Sequence, residues 1–372
     1  MKYNKVGIVN FHYSKNNYGA VLQAAALQNE VEKLGLSAEH INFIPKKMKW
    51  NSPSNIKKKV SNVCRSAGFI VGIKVKDPVF GEKVFDKFRN EWISVSKEFY
   101  SEDELKASKH CYDSVVVGSD QVWRVEYTGD DFGVYFLNFL SQGCSKISYA
   151  ASFGNEFWNA NEETTSSVKT MLADFSAISV REISGVEICK KDLLVDATNV
   201  LDPTLLAGTE FFRNIIGANS HPHSSPGLVY YKLDANQKFT DEMNLVGDNE
   251  GLEVENIYYR KNSFGYKFNS VPDWLSKIAN SKIVITDSFH CVCFAILFEK
   301  QFIYYANDDR GMSRLESLLG LLGLSERIYK DKNNQSILSI LSNKIDYDSV
   351  NSKLQQLRRY SKDFLSTSIY RN

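Results

Sequence analysis

Four side chains that can bind an anion or move a proton lie within five residues, in the stretch Thr286-Asp-Ser-Phe-His290. The apolar run 283–285 before it is typical of a short buried strand, and the apolar run 291–298 after it predicts a helix. In an open α/β sheet, ligands bind beyond the carboxyl ends of the strands, where a helix start offers unpaired N–H groups to an anion. We therefore predict that His290 moves a proton, and that Ser288 and the helix start hold an anionic group.

Other polar residues follow other predicted strands. Ser119 and Asp120 come soon after the apolar residues 115–117, and a loop with His12, Asn17 and Gly19 follows the first strand, which begins at residue 6. A loop at the carboxyl end of a strand is a frequent place for ligand contacts. The same loop also fits a capped turn, with Asn17 as the N-cap of a helix over residues 19–34. Both interpretations agree with the sequence.

Arg181 stands at the end of a predicted strand over residues 177–180 and is followed directly by Glu182. An arginine in this place can bind an anion, or it can form a surface ion pair with its neighbour. From the residues alone, the surface pair is the favoured interpretation.

The composition is that of a globular protein of two domains. The chain has 372 residues, of which 43% are hydrophobic and 24% charged, and its net charge is +1. This balance argues against extensive binding to nucleic acid. The six cysteines form no C-x-x-C pair, and the glycine motifs for dinucleotides and nucleoside triphosphates are absent. We expect neither a metal nor a bound cofactor.

We expect a cytoplasmic protein. The first residues enter a predicted strand without the pattern of a secretory signal, and no apolar run approaches the roughly 20 residues of a spanning helix. Residues 46–76 contain nine Lys or Arg and no acid. This stretch is either a solvated helical excursion or a surface that meets an anionic membrane, which would place the protein peripherally at the inner face.

Predicted strands and helices alternate in two series. The first series runs to a break at Pro203. The second includes strands over 228–233 and 252–259, a helix over 272–279 capped by Ser270, and a helix over 313–322. This alternation predicts an α/β fold of two Rossmann-like domains that face a cleft. We place these domains at 1–202 and 203–345, followed by a C-terminal helix over 346–372 that packs back.

Seven short motifs, in one order along the chain, resemble the polysaccharide pyruvyl transferase family. They are Asn17-Tyr-Gly-Ala-Val-Leu-Gln23, Gly118-Ser-Asp-Gln-Val-Trp123, Ser148-Tyr-Ala-Ala-Ser-Phe-Gly154, Ser179-Val-Arg-Glu182, Leu201-Asp-Pro-Thr204, Thr286-Asp-Ser-Phe-His290 and Arg310-Gly311. The resemblance implies a two-domain architecture similar to the GT-B glycosyltransferases.

The resemblance also implies a reaction. Members of the family move the pyruvyl group of phosphoenolpyruvate onto a sugar and usually close a cyclic ketal. Arg181 then matches the family arginine placed against the donor anion, which reverses the preference for a surface pair, and His290 matches the active-site histidine. We assign the donor to the second domain. The acceptor, a sugar or lipid-linked oligosaccharide, is assigned to the first, where the candidate contacts are His12, Asn17, Gly19, Ser119 and Asp120.

One departure from the family pattern concerns the donor. Better-studied members have Arg-Leu-His where this chain has Ser288-Phe289-His290, so a guanidinium that grips carboxylate or phosphate is missing. Arg310 or Arg314 can replace it from a neighbouring loop, or this branch uses a different donor or acceptor. Two other functions also fit the fold: a glycosyltransferase that uses a nucleotide sugar, and a sugar-binding protein without activity.

Overall fold

The computed structural model describes residues 4–45, 79–141, 143–217, 227–232, 234–262, 265–306, 312–331 and 336–370. The predicted basic surface at 46–76 and the predicted substrate contact Arg310 lie outside these residues. None of the described helices is long and apolar enough to cross a bilayer.

The strands are short and are spread along the described chain. They are β1 (Lys5–Val9), β2 (Ser37–Phe43), β3 (Val79–Phe80), β4 (Val95–Phe99), β5 (Ser114–Val117), β6 (Ser145–Ser148), β7 (Phe175–Ala177), β8 (Ser179–Val180), β9 (Thr198–Asn199), β10 (Leu228–Tyr231), β11 (Val254–Asn256), β12 (Tyr259–Asn262), β13 (Gly265–Phe268), β14 (Ile283–Thr286), β15 (Gln301–Tyr305) and β16 (Ile328–Tyr329).

Helices connect most of these strands. They are α1 (Tyr18–Glu32), α2 (Lys83–Trp92), α3 (Glu102–Ala107), α4 (Val125–Thr128), α5 (Phe132–Tyr135), α6 (Glu162–Leu172), α7 (Ile183–Lys191), α8 (Pro203–Ile216), α9 (Gln237–Glu250), α10 (Val271–Asn280), α11 (Phe289–Leu297), α12 (Ser313–Leu322), α13 (Ile337–Ser342) and α14 (Tyr347–Tyr370), with short 3-10 turns at Gly129–Asp131 and Ser325–Arg327.

Two parallel sheets organise the chain. The first has the order β4-β2-β1-β5-β6-β7, and the second has the order β11-β10-β14-β15-β16. Every strand pair within these two sheets is parallel. Parallel sheets of this kind are covered by helices on both faces, which explains why the inner strands β5, β10, β14 and β15 are nearly continuous apolar runs. The predicted α/β architecture is confirmed.

Helix α1 packs against the helices of the second sheet. Nearly all of its residues are buried, as expected for a helix without a polar face. Its first residue, Tyr18, stacks on Trp274 of α10, with ring centroids 4.8 Å apart, and its hydroxyl donates to the carbonyl of Asn269 at 3.0 Å. This packing brings the start of α1, from the first sheet, to the start of α11 in the second.

The chain between Leu252 and Tyr259 differs from the prediction of one strand. Here β11 ends at Asn256, whose side chain accepts a hydrogen bond from the N–H of Tyr258 at 2.9 Å. An Asn side chain that binds the backbone two residues later forms a local turn, which separates β11 from β12. Helix α9, whose N-cap is Asn236, was not predicted from the sequence.

Helix α14 touches both halves of the structure. Leu354 belongs to the apolar cluster around α10 and α11, while Leu365 and Ile369 pack with Ile8 of the first sheet. Between them, the Ser361 hydroxyl accepts from the backbone N–H of Leu201 at 3.0 Å. The proposed domain limits at 202 and 345 stay a prediction.

Candidate active site

The carboxylate of Asp202 joins the elements that form the site. Asp202 is the N-cap of α8, and its Oδ1 accepts from the N–H of Thr204 at 2.9 Å and from the Thr204 hydroxyl at 2.7 Å. Pro203 fits the first helical position because the N–H that it lacks would have no helical partner there. The other oxygen, Oδ2, accepts from the Ser119 hydroxyl at 2.7 Å. This buried carboxylate therefore links the start of α8 to the chain that follows β5.

Arg181 is buried, so the surface ion pair expected from the residues alone is wrong. Its Nη1 donates to Asp202 Oδ2 at 2.9 Å, its Nη2 lies 3.3 Å from Asp120 Oδ1, and its Nε lies 3.9 Å from Glu182 Oε2. Glu182 is itself held by the Ser152 hydroxyl at 2.9 Å. Burial raises the pKa of Glu182 above its ordinary value, although the positive charges of Arg181 and Arg314 act in the opposite direction.

A second guanidinium lies near the first. The guanidinium carbons of Arg181 and Arg314 stand 4.4 Å and 6.0 Å from the centroid of the Phe289 ring. Arg314 is in the first turn of α12 and is buried, and burial together with the charge of Arg181 lowers its pKa. Of the two arginines predicted to replace the family guanidinium, Arg314 is brought to this cluster, and Arg310 lies outside the described residues.

His290 lies in the first turn of α11, which begins two residues earlier than the sequence predicted. Ser288 is the N-cap, and its hydroxyl accepts from the N–H of Cys291 at 3.5 Å, so His290 does not cap the helix. Its Nε2 lies 3.5 Å from Asp202 Oδ2, the same oxygen that Arg181 contacts. A side chain at Gly19 would overlap the imidazole ring, because a Cβ built there would collide with Nδ1.

Asp202 remains ionised between these groups. Its burial alone would raise its pKa, but the charges of His290 and Arg181 and the hydrogen bond from Thr204 outweigh that effect and hold the pKa well below its ordinary value. An ionised carboxylate 3.5 Å from Nε2 can orient the imidazole by its charge, since Nε2 has no hydrogen-bond partner among the described residues.

Asp120 has a strained backbone beside this cluster. Its φ of 76° is in the left-handed region, which only a few non-glycine residues adopt. Such conformations persist where surrounding contacts enforce them, and they occur often at functional sites. The carboxylate of this residue lies 3.3 Å from Arg181 Nη2.

His12 and Asn17 hold the connection between β1 and α1. His12 is buried, with Nε2 3.2 Å from Asn42 Oδ1, and burial lowers its pKa to about 4. Asn17 is the N-cap of α1 and accepts from the N–H of Ala20 at 3.2 Å, as the capped-turn interpretation predicted. The described contacts of both residues are therefore with their own half of the chain, whereas Gly19 from the same loop reaches His290.

Sequence reasoning did not single out Asp202 or Glu182 as site residues. The signal for Asp202 was present, since an Asp followed by Pro after the apolar residues 200–201 is a typical helix start at a strand end. No local signal shows that its second oxygen faces Arg181 and His290.

The positive ends of several helices lie at the site, together with charged side chains. The starts of α1, α8 and α11 meet here through Gly19, Asp202 and His290, and each helix start carries about half a positive charge. Among side chains, two guanidinium groups face three carboxylates. The cavity beside Arg181 and Asp202 has a volume of about 20 Å³, which is room for about one water molecule.

A larger groove, of about 430 Å³, lies elsewhere. It is lined by Lys5, Val95 and Tyr112, among others, at the amino ends of β1 and β4. Parallel sheets bind ligands at the opposite, carboxyl ends of their strands, so the chemistry belongs with Asp202. Within the described ranges, no group of His, Cys, Asp and Glu is arranged to hold a metal.

Several known structures are similar to this chain in fold. UDP-GlcNAc 2-epimerase from Neisseria meningitidis, bound to UDP-GlcNAc, is 9% identical, with a TM-score of 0.52 over 99% of this chain and all of that one. The Methanocaldococcus jannaschii UDP-GlcNAc 2-epimerase has a TM-score of 0.49 at 12% identity over 96% and 99% of the two chains. A Rickettsia africae glycosyltransferase has a TM-score of 0.48 at 11% identity over 100% and 99%. The Neisseria likeness supports the predicted fold of two Rossmann-like domains, similar to the GT-B enzymes.

Sequence comparison identifies the family. No curated protein matches this chain significantly. The profile described as polysaccharide pyruvyl transferase matches residues 17–309, which include the loop with Gly19, Arg181, Asp202 and His290. Because this match spans most of the chain, the protein belongs to the polysaccharide pyruvyl transferase family.

Proposed function

We propose that the protein transfers the pyruvyl group of phosphoenolpyruvate onto a sugar of a cell-surface polysaccharide or its precursor and forms a ketal. The observation that carries this proposal is the meeting of Arg181 and His290 on one oxygen of Asp202, at 2.9 Å and 3.5 Å, in a member of this family. A cation for the donor and an acid for the reaction are thereby held together by one oriented carboxylate.

The donor anion has to compete for Arg181. In the described conformation this guanidinium contacts the carboxylates of Asp202, Asp120 and Glu182. We infer that the anion takes the place of the Asp120 carboxylate, which is the more exposed of the three. Arg314 would supply the second guanidinium, in place of the arginine that the family has at position 288.

His290 would then act as acid and base. It delivers a proton to the methylene carbon of the donor, which becomes a methyl group, and the adjacent carbon acquires oxocarbenium character. A first sugar hydroxyl adds to that carbon and returns its proton to His290. A second hydroxyl closes the ring as the C–O bond to phosphate breaks, and its proton leaves with inorganic phosphate. Ser119 and the released Asp120 are the proposed acceptor contacts.

The reaction needs no bound cofactor, since phosphoenolpyruvate is consumed as a co-substrate. The proposed acceptor is a sugar or lipid-linked oligosaccharide at the cytoplasmic face of a membrane. The basic stretch 46–76 would favour that location, because each Lys or Arg near an anionic surface adds about 1 kcal/mol of attraction. Nucleic acid is not a proposed partner.

Ligand-dependent stability tests the donor. A ligand that binds only the native state raises the melting temperature, so phosphoenolpyruvate should stabilise the protein and UDP-GlcNAc should not. Release of inorganic phosphate when an acceptor is added then tests turnover. Stabilisation by UDP-GlcNAc alone would support a glycosyltransferase, and stabilisation by a neutral glycan alone would support a sugar-binding protein. Either result would contradict our proposal.

A further inference from the structure

Two aromatic rings are exposed on the segments that follow β5 and β6. Tyr127, in the short helix α4 after β5, is 59% exposed, and Phe157, after β6, is 76% exposed. Both segments leave the carboxyl edge of the first sheet, the edge where Ser119 and Asp120 lie. A single exposed apolar side chain is normal, but exposed rings beside a candidate site can mark a binding surface.

Arg124 connects both rings to polar groups. The Arg124 guanidinium stands 4.2 Å from the centroid of the Tyr127 ring and donates to Gln121 Oε1 at 3.0 Å. Arg124 also lines a shallow depression with Phe157, Trp158 and Glu126. The amide of Asn159 donates to Glu126 Oε1 at 3.2 Å at its rim. The surface therefore alternates aromatic faces with amides, a carboxylate and a guanidinium.

This surface is continuous with the candidate active site. The N–H of Gln121 donates to Asp120 Oδ1 at 2.9 Å, and the same oxygen lies 3.3 Å from Arg181 Nη2. On the facing loop, Gly154 has a φ of 71°, and a Cβ there would collide with the Gln121 side chain. The two loops thus pack directly on each other beside Asp120 and extend outwards from it.

We propose that this surface binds the sugar units of the acceptor glycan that flank the unit to be modified. We name it the aromatic ledge and define it by Arg124, Glu126, Tyr127, Asn155, Phe157 and Asn159. The inference rests on the proposed function, which places the acceptor at Asp120.

The chemistry of the ledge matches a neutral oligosaccharide. A pyranose has C–H faces, which pack against the electron-rich face of an aromatic ring, and a rim of hydroxyls, which bind amides and carboxylates. The core of a protein interface instead is a contiguous apolar patch that is depleted in acidic residues and lysine. On the ledge, the Glu126 carboxylate and the amides of Asn155 and Asn159 line the same depression as Phe157, so a glycan is the better fit.

The test uses the double variant Tyr127→Ala and Phe157→Ala. Saturation-transfer NMR is recorded without donor on a panel of neutral trisaccharides and tetrasaccharides of glucose, galactose and N-acetylglucosamine. The wild-type protein should bind members of the panel, and the double variant should bind them about tenfold more weakly, which corresponds to about 1.4 kcal/mol. Tyr360→Ala is the matched control, since Tyr360 is 56% exposed on α14, away from the ledge; it should bind as the wild type does.

Three results would contradict the proposal that the ledge binds glycan. The double variant could bind the panel as well as the wild type does, or the wild type could bind no panel member. The double variant could also change from oligomer to monomer, which would make the surface a contact between copies of the chain. Because no donor is present, glycan binding that depends on the ledge would stand even if phosphoenolpyruvate proved not to be the donor. If phosphoenolpyruvate stabilises the protein but the double variant binds glycans as the wild type does, the proposed function is retained and the role of the ledge is contradicted.

Discussion

The imidazole of His290 occupies the space that a side chain at position 19 would need. Gly19 is in the first turn of α1, which follows β1, and His290 is in the first turn of α11, which follows β14. Two helix starts, one after a strand of each sheet, therefore meet with no room for a Cβ at position 19. The orientation of the imidazole depends on that close approach.

We predict that Gly19→Ala lowers turnover while the fold is retained. The new Cβ would push the imidazole away from Asp202, and a displacement of about 1 Å in a catalytic group can cost 10²-fold in rate. Turnover should fall by about that factor while donor affinity changes less, as kcat and KM would show.

The control is Gly320→Ala on α12, where a Cβ meets nothing within 4 Å. This change should leave turnover intact and stabilise the protein by about 0.5–1 kcal/mol, because alanine is favoured over glycine in a helix. Full activity in Gly19→Ala would show that the position of His290 is not critical.

The second prediction concerns His290→Asn. Ser288, not His290, caps α11, so the substitution should leave the melting temperature almost unchanged. Loss of the acid and base should reduce kcat on the order of 10² to 10⁴, with donor binding kept within a few-fold.

His12→Asn is the comparison for this prediction. With a pKa of about 4, His12 is neutral near pH 7 and has a structural role, so its replacement should lower stability more than turnover. Turnover that survives in His290→Asn and disappears in His12→Asn would move the proton chemistry to the first sheet.

The third prediction concerns Asp202→Asn. Asparagine is a good N-cap, so α8 should keep its start, but the charge that orients His290 and pairs with Arg181 is lost. We expect kcat to fall at least 10²-fold, with a changed pH profile, and the free energy of unfolding to fall by about 3 kcal/mol at neutral pH.

The stability effect should depend on pH in a defined direction. Because the pKa of Asp202 is depressed in the folded state, its ionisation stabilises the fold above the ordinary aspartate pKa of 3.8, and that contribution is lost as the pH falls below it. Urea titrations of the wild type and Asp202→Asn should therefore converge in acid. Curves that stay parallel at every pH would contradict the assignment.

A fourth prediction concerns the buried pair His12 and His40, whose rings lie 5.2 Å apart. Burial lowers the pKa of His12 from 6.5 to about 4 and lowers that of His40 well below 6.5. The unfolded chain therefore binds more protons below pH 6.5, and stability falls as the pH drops. Between pH 7 and pH 5 the protonation of His12 should cost roughly 2 kcal/mol of unfolding free energy, and His40 should lower the stability in the same direction.

Replacement of the two histidines tests whether they cause this pH dependence of stability. In His12→Asn and His40→Gln the free energy of unfolding should be lower at pH 7, but it should depend less steeply on pH than in the wild type. A wild-type urea midpoint that is the same at pH 7 and pH 5 would show that these histidines are not buried in neutral form.

Much of the local structure could be predicted because it depends on short-range interactions. Apolar runs such as 283–285 became buried strands, and Asn17 and Ser270 cap the helices that the sequence indicated. The boundary errors have local causes too. The Asx turn at Asn256 divided one predicted strand into two, and the cap at Ser288 placed His290 inside α11.

The sequence by itself determined which residues stand at strand ends, since a buried strand followed by polar residues is a pattern of near neighbours. It could not determine that Arg181 is buried, or that His290 and Asp202 lie 3.5 Å apart, because these residues come from different strands and helices. Their contact depends on how α1 packs against the helices of the second sheet and on where α8 starts. Only the tertiary structure decides such long-range contacts, because they follow from the packing of whole helices and not from the preferences of adjacent residues.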